Sequence, residues 1–491
     1  MKKVSLKNLN FNSAFGEQYG REFISHRGAI KIKETENEVQ IAITDSENIQ
    51  LIHELENFHI PKKTVFSSIS RADLAAFIGE TTAIDPVHSN VKQEKERSIA
   101  LDAITEGAPL VNIINAICIE AIRLESSDIH IEAQADSVHI RYRIDGVLRT
   151  VKKIEKSVFI TISNRVKIMA NLNPLEQRLP QDGRMSVTIG DNTVDLRVSI
   201  IPVANGESIV LRIFNTTTKM LTLDELGFNK QDFNAVKKAV LQPVGLILLT
   251  GPTGSGKTTT LHALIASLPI PELKIITIED PVEQLIPGVN QVQVNDEINL
   301  SFDSMLRRVL RQDPNVIMVG EIRDTATAEL ALRSALTGHL ILSTLHTNDS
   351  ISVITRLENM GLEPYLIAAV LKCSVAQRLV RKVCQLCRKK IPLSTQVKSL
   401  MSKYKVPADS IYESTGCPSC EYTGYKGRTV ISEVFSIDKN IEDMIINRQT
   451  VSKIAHYAAA HTGMNSIAKN ALEKAADGIT TMNEIEREVL F

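Results

Sequence analysis

The stretch on which the fold turns is Gly245-Leu-Ile-Leu-Leu-Thr250 followed by Gly251-Pro252-Thr253-Gly254-Ser255-Gly256-Lys257-Thr258 and then the helix-like Thr259 to Leu268. An apolar run of strand length leads into G-x-x-x-x-G-K-[ST], and a helical segment follows, which is the context a phosphate-binding loop requires. The glycines permit turns that aim successive N–H groups at phosphate oxygens, and the helix N-terminus adds its positive dipole end. In such a loop Lys257 reaches the β and γ phosphates, Thr258 holds Mg²⁺, and Gly251 through Thr259 form the binding site for ATP or GTP. A glycine-rich turn without a ligand is the alternative, and the flanking strand and helix argue against it.

Working outward, the apolar runs Val244 to Leu249, Ile275 to Ile278, Val316 to Val319 and Leu340 to Ser343 alternate with helical stretches. That βαβ rhythm implies a mainly parallel sheet. Upstream the pattern differs. A helix is expected over Pro109 to Leu124, then strands of period two at Ile129 to Glu132, Val138 to Ile144, Met185 to Ile189 and Val194 to Ile200, with a hairpin turn at Asp145-Gly146. Residues 100–220 therefore read as an α+β domain with a largely antiparallel sheet. Residues 1–90 carry short alternation (Val39 to Thr44) and a helix-like stretch (Arg71 to Ile78) but no chemical motif, and the polar run Asp85 to Arg97 has linker composition.

The chain has 491 residues, which at about 150 per domain suggests roughly three domains. With 56 Lys and Arg against 57 Asp and Glu, a net charge of −1 argues against a basic nucleic-acid coat or an acidic tail. No apolar run approaches the roughly 20 residues of a bilayer span, and none of signal-peptide length follows Met1-Lys2-Lys3. A cytoplasmic protein is expected, with any membrane association made through partners. Four of the six cysteines form two Cys-x-x-Cys pairs, Cys384/Cys387 and Cys417/Cys420, which is tetrathiolate Zn²⁺ spacing with a long gap. A structural site is expected there, its charge offset by Arg381, Lys382, Arg388, Lys389 and Lys390. Cys118 and Cys373 lie in apolar patterns and read as core.

Hydrolysis needs further acids at the tips of neighbouring strands. Two segments end an apolar run in an acid: Asn315 to Glu321, and Ile275 to Glu279 continuing to Asp280 and Glu283. Capping of the next helix is the alternative for each of them, and it is weaker for Glu321 than for Glu279, Asp280 and Glu283. Gly320 stands where most P-loop enzymes carry Asp, so Mg²⁺ is left to Thr258, water and these acids.

The segments GPTGSGKTTTLHALI, IITIEDPVE, LRQDPNVIMVGEIRD and TGHLILSTLHTND, in this order and spacing, resemble the Walker A, Asp box, Walker B and His box of the secretion ATPase superfamily, the motors of type II secretion and type IV pilus assembly. The resemblance extends from about residue 100 to the C-terminus, because SSDIHIE, RYRIDGVL, LPQDGR and GESIVLRI look like the family's second N-terminal domain. It implies an α/β fold in which a PAS-like α+β domain (100–220) precedes a RecA-like ATPase core (221–380), a tetracysteine zinc module (381–433) and a helical C-terminal subdomain (434–491), after a docking module (1–90) and linker (91–99).

Carried over position by position, the resemblance makes Glu321 the group that polarises the attacking water and Glu279 an acid near Mg²⁺. It makes His339 and His346 the His-box pair, with His339 sensing the γ-phosphate. It places Arg307, Arg311 and Arg323 around the nucleotide, although Ser301 to Gln312 also reads as an amphipathic helix whose arginines are merely solvated. It makes Arg197 and Arg212, each inside an apolar strand, fingers that reach across the domain interface, the alternative being salt bridges within the sheet. A tetracysteine insertion is implied for assembly and secretion motors rather than retraction motors.

The expected protein is a hexameric ATPase at the inner face of the inner membrane, driving pilin or pseudopilin assembly. Its expected partners are a platform protein and a membrane-anchored protein with a cytoplasmic domain. A nucleic-acid motor is disfavoured by neutral charge and only 8 Tyr and 13 Phe. A nucleotide-gated scaffold with little turnover is disfavoured by Lys257, Glu321 and the arginines.

Overall fold

The computed structural model describes residues 28–35, 37–45, 48–58, 62–70, 110–189, 192–214, 220–295 and 298–489. The helix expected near Arg71 to Ile78 and the linker over 91–99 lie outside them. The chain separates into two compact units, Met1–Arg97 and Ser98–Phe491. In the first, β1 (Ala29–Glu34) pairs antiparallel with β2 (Glu38–Ile43), which pairs parallel with β3 (Lys63–Ser68). The helix α1 (Ile49–Phe58) supplies Leu51 and Leu55 to their shared core.

The second unit opens with α2 (Leu110–Arg123) and β4 (Asp128–Ala133), β5 (Ser137–Ile144) and β6 (Val147–Glu155). Then come α3 (Phe159–Met169), β7 (Gln181–Ile189), β8 (Asn192–Val203) and β9 (Gly206–Phe214). The six strands form one antiparallel sheet in the order β6-β5-β4-β9-β8-β7. Period-two alternation buries Ile129, Ile131, Ile140, Leu196, Val198 and Leu211 against the two helices and leaves the other face polar. The β5–β6 hairpin turns at Asp145 and Gly146, both with positive φ, as a two-residue primed turn demands. At its tip Asp145 accepts a bond of 3.0 Å from the Gly427 amide.

The strand β10 (Gly245–Thr250) is buried at every position, the mark of a central parallel strand covered on both faces. It sits in a seven-stranded sheet ordered β12-β11-β13-β14-β10-β15-β18. The members are β11 (Ile275–Glu279), β12 (Asn290–Gln293), β13 (Val316–Val319), β14 (Leu340–Leu345), β15 (Leu371–Val383) and β18 (Tyr425–Ser436). All pairings are parallel except β15 with β18. The helices α4 (Lys230–Val240) and α5 (Lys257–Ala266) pack on one face. The helices α6 (Phe302–Val309), α7 (Thr325–Leu336), α8 (Val353–Asn359) and α9 (Pro364–Val370) pack on the other.

Between β15 and β18 the chain makes an excursion that carries β16 (Arg388–Pro392), α10 (Thr395–Lys403) and β17 (Ser410–Ser414). Boundaries drawn at 380/381 and 433/434 thus fall inside β15 and β18, because both strands belong to the main sheet. Four helices close the chain: α11 (Lys439–Ile446), α12 (Val451–His461), α13 (Ile467–Ala476) and α14 (Met482–Glu488). Among the described residues no helix is long and apolar enough to cross a membrane.

A buried ion pair fastens α3 to the β9 end of the antiparallel sheet. Lys167 Nζ donates to Glu207 Oε1 at 2.6 Å and to the Glu176 carbonyl at 2.6 Å, while Ser163 donates to Glu207 Oε2 at 2.5 Å. Removing one partner strands a desolvated charge, whereas replacing both by neutral groups of similar size costs far less. Lys167→Met is expected to lower unfolding free energy by about 3–5 kcal/mol. Adding Glu207→Gln is expected to restore most of the loss, and urea denaturation followed by circular dichroism measures both.

Candidate functional site

The parallel strands of the seven-stranded sheet end on one edge, and the chemistry collects there. Gly251, Gly254 and Gly256 all have positive φ (140°, 80° and 84°), so the loop after β10 can turn its amides toward a common centre before α5 begins at Lys257. A Cβ on Gly251 would lie 2.5 Å from the Gln377 carbonyl oxygen. The Ser255 hydroxyl is buried in this loop without a partner, and Lys257 Nζ folds back onto the carbonyls of Gly251 (2.8 Å) and Pro252 (3.0 Å). Burial lowers the Lys257 ammonium below its usual range, against the opposing pull of the nearby Glu321 carboxylate. A glycine nest, a helix N-terminus, an orphaned hydroxyl and a cation fit the triphosphate of a nucleotide with its Mg²⁺.

Glu321 follows β13 and reaches the same edge. It bonds to Arg323, and His346 Nε2 stands 3.5 Å from its other oxygen. Burial raises the Glu321 carboxyl, but Arg323 and then His346 outweigh it and hold the group below the usual carboxylate range. Arg323 also lies 4.0 Å from Asp280 and over the Phe302 ring. Thr344 and Ser343 donate to the Gly320 and Val319 carbonyls at 2.8 and 2.7 Å, and the Thr347 amide donates to Thr250 at 2.8 Å, so the ends of β13, β14 and β10 are locked together. An Asp at position 320 would start with its Cβ 3.2 Å from the Ile278 carbonyl and 3.4 Å from Phe302, a tight fit that a side chain there would have to push against.

Several sequence expectations change. His339 precedes β14 and sits at the opposite edge: its carbonyl accepts from Gly245 at the start of β10, and its ring Nδ1 donates to the Ser334 carbonyl at 2.9 Å. A six-residue strand separates it from the loop by roughly 20 Å. His346, at the far end of that strand, is the histidine that meets Glu321. Glu279 is not an open acid either. Its side chain is 3% exposed and accepts from His262 (3.0 Å), Thr277 (2.6 Å) and Gln291 (2.9 Å). Burial raises its carboxyl, and these bonds, led by His262, hold it low. The acids of that segment that face solvent are Asp280 and Glu283.

The arginines divide too. Arg307 and Arg311 are exposed, and their polar contacts run within their own segment, to Asp303 and to the Arg307 carbonyl. Arg197 and Arg212 point from the polar face of the antiparallel sheet, so neither is buried. Arg212 pairs with Asp128 on the neighbouring strand at 3.0 Å. Arg197 lines a cleft of about 420 Å³ with Arg184, facing Asp280, Pro281 and Gln293 across it. Cross-strand register sets Arg184, Arg197 and Arg212 side by side on β7, β8 and β9.

Sequence reading missed Gln377 and Arg378, which stand in β15 with no motif to flag them. Gln377 donates to the Ser255 carbonyl (2.7 Å) and accepts from Thr260 (3.0 Å), and Arg378 donates to the Asn348 carbonyl at 3.3 Å.

The four cysteines of the excursion converge at its base. Their sulfurs all lie within 4.8 Å of one another, with contacts of 3.7, 3.8 and 3.9 Å. A tetrahedron with Zn–S distances of about 2.3 Å has edges of about 3.8 Å, so the set could hold such an ion. The Cys417 and Gly424 amides donate to Cys420 Sγ at 3.2 and 3.3 Å. Of the expected charge-balancing residues, Arg381 is instead bonded to Glu484 and stacked on Tyr425, and Arg388 donates to the Gly478 carbonyl.

A glycine-rich phosphate loop before α5, with a strand-end carboxylate and histidine beside it on a parallel sheet, defines a P-loop nucleoside triphosphatase. Residues 103–487 match the family model described as type II/IV secretion system protein, and the chain belongs to that family. It is 39% identical over 435 residues to the putative type II secretion system protein E of Escherichia coli (strain K12), covering 86% of this chain and 88% of that one. It is 42% identical over 400 residues to the type IV pilus assembly ATPase PilB of Myxococcus xanthus (strain DK1622), covering 80% and 70%. Its fold is like that of the Yersinia pseudotuberculosis ATPase DotB, with a TM-score of 0.59 at 21% identity over 82% of this chain and 98% of that one.

Gln377→Leu leaves the Ser255 carbonyl and Thr260 hydroxyl without their partner, a loss worth about 1–2 kcal/mol. Nucleotide affinity is expected to fall about tenfold, as titration with a fluorescent ADP analogue reads, and the melting temperature to fall by roughly 2–4 °C.

Proposed function

We propose that this chain is an assembly-type motor: an ATPase that works as a hexamer on the cytoplasmic face of the inner membrane and drives pilin or pseudopilin subunits into a fibre. The observation that carries the reading is the meeting of Lys257, Glu321, Arg323 and His346 at the end of the parallel sheet, with Arg197 and Asp280 facing one another across the adjoining cleft. Mg-ATP is the substrate and supplies the anhydride bond whose cleavage does work. Lys257 and the loop amides bind its phosphates, Thr258 is the hydroxyl available to Mg²⁺, and Glu321 orients and polarises the attacking water. His346 reports the state of the site to the Thr347–Thr250 contact.

Residues 110–214 act as the PAS-like module whose Arg197 closes on the ATPase core, after which hydrolysis lets the two part. Residues 1–90 dock to a membrane-anchored partner, and a platform protein receives the force. The tetracysteine site holds structural Zn²⁺. The names borne by the relatives from Escherichia coli and Myxococcus xanthus support both a secretion and a pilus setting for such a motor.

Glu321→Gln keeps the shape of the side chain and removes its charge. ATP binding is expected within about threefold of the parent, while kcat falls by about 10²–10⁴. Turnover at the parent rate, read by phosphate release, would remove Glu321 from its role. Metal analysis of the purified chain is expected to give about one zinc per chain. Cys417→Ser with Cys420→Ser abolishes it and lowers the melting temperature by roughly 5 °C, with nucleotide binding retained.

A further inference from the structure

His262 lies four residues after Thr258 on α5, with its side chain 4% exposed, and its one contact described so far is with Glu279. Its Nε2 is 3.0 Å from Glu279 Oε2. The other Glu279 oxygen accepts from Thr277 and from Gln291 Nε2 at 2.9 Å. Gln291 in turn holds the segment after Glu279 in shape, donating to the Gln284 carbonyl at 3.0 Å and accepting from the Ile286 amide at 2.6 Å. That segment begins with Asp280, whose carboxylate lies 4.0 Å from Arg323, and Arg323 is bonded to Glu321.

A continuous path of polar contacts therefore runs from the helix that follows the phosphate loop, through Glu279 and the Asp280 segment, to Arg323 and Glu321. Its first steps are buried, with the side chains of His262 and Glu279 withdrawn from bulk solvent. Their burial makes the geometry exacting. An apolar side chain at 262 would leave Glu279 with only two of its three donors in a dry site.

We infer that His262 is a positioning residue for hydrolysis: its bond to Glu279 fixes the Asp280 segment relative to α5 and so sets where Arg323 holds Glu321. The inference rests on Glu321 being the group that positions water. A satisfied core histidine, the competing explanation, would affect stability but would not act through Asp280.

The test uses full-length protein and steady-state ATP hydrolysis. His262→Met removes the donor at similar volume and is expected to lower kcat about tenfold, with KM for ATP within about twofold. His262→Gln keeps an N–H donor and is expected to recover kcat to within about threefold of the parent. In a double-mutant cycle, His262→Met combined with Asp280→Asn is expected to be no slower than the slower single variant, because both interrupt one path. Multiplicative losses, or a His262→Gln variant as slow as His262→Met, would overturn the inference. If His262→Met does not fold, Glu279→Gln takes its place in the same cycle with the same two outcomes. Glu321→Gln run alongside separates the cases: its full turnover defeats the assignment of Glu321 itself, whereas its inactivity together with an additive cycle defeats only the role of His262.

Discussion

Strand polarity is the constraint on which the rest of this molecule depends. Because β11, β13, β14, β10 and β15 pair in parallel, the segments that leave β11, β13, β14 and β10 all emerge on one edge of the sheet. The phosphate loop, Asp280, Glu321 and His346 are brought within reach of one another by that fact alone, although they are spread over almost a hundred residues of sequence. Hydroxyl bonds from Ser343, Thr344 and Thr250 then fix the strand ends against each other, so the edge is rigid where it must hold charge.

The electrostatics of that edge are balanced between burial and pairing. Glu321 is partly withdrawn from water, which by itself would favour its neutral form, yet Arg323 and His346 keep it anionic. A carboxylate so paired is a weak proton acceptor, suited to orienting and polarising water more than to removing a proton outright. Glu279 illustrates the opposite use of an acid one strand away. Buried and accepting from three donors, it is paired within the fold, while its neighbour Asp280 faces the cleft.

How far these features could be read in the sequence follows from what kind of signal each leaves. The continuous apolar run before Gly251 and the glycine-lysine loop marked the central strand and its function, because burial on both faces and phosphate binding each demand those residues in that order. Alternation marked the antiparallel sheet for the same reason. Direction along a strand is legible too: His339 precedes β14 and His346 follows it, and in a parallel sheet only the second position can face the phosphate loop. The face that Glu279 turns inward, the solvent-facing side on which Arg197 and Arg212 lie, and the role of Gln377 depend on neighbours far away in the chain, and no local pattern encodes them.

The cysteine-bearing excursion leaves the sheet at Val383 and returns at Tyr425, and those two residues are register partners on adjacent antiparallel strands. Topologically it is an overgrown hairpin loop with Cys384, Cys387, Cys417 and Cys420 gathered at its neck. What lies beyond the neck is not a free loop: Val397, Met401, Val406 and Ile411 share one buried cluster with Val380 of β15, Ile431 of β18 and Ala471, Leu472, Met482 and Ile485 of the closing helices. A change of volume at any of those four excursion residues is therefore felt by two strands of the main sheet and by α13 and α14, so this part of the chain is mechanically coupled to the sheet that carries the phosphate loop.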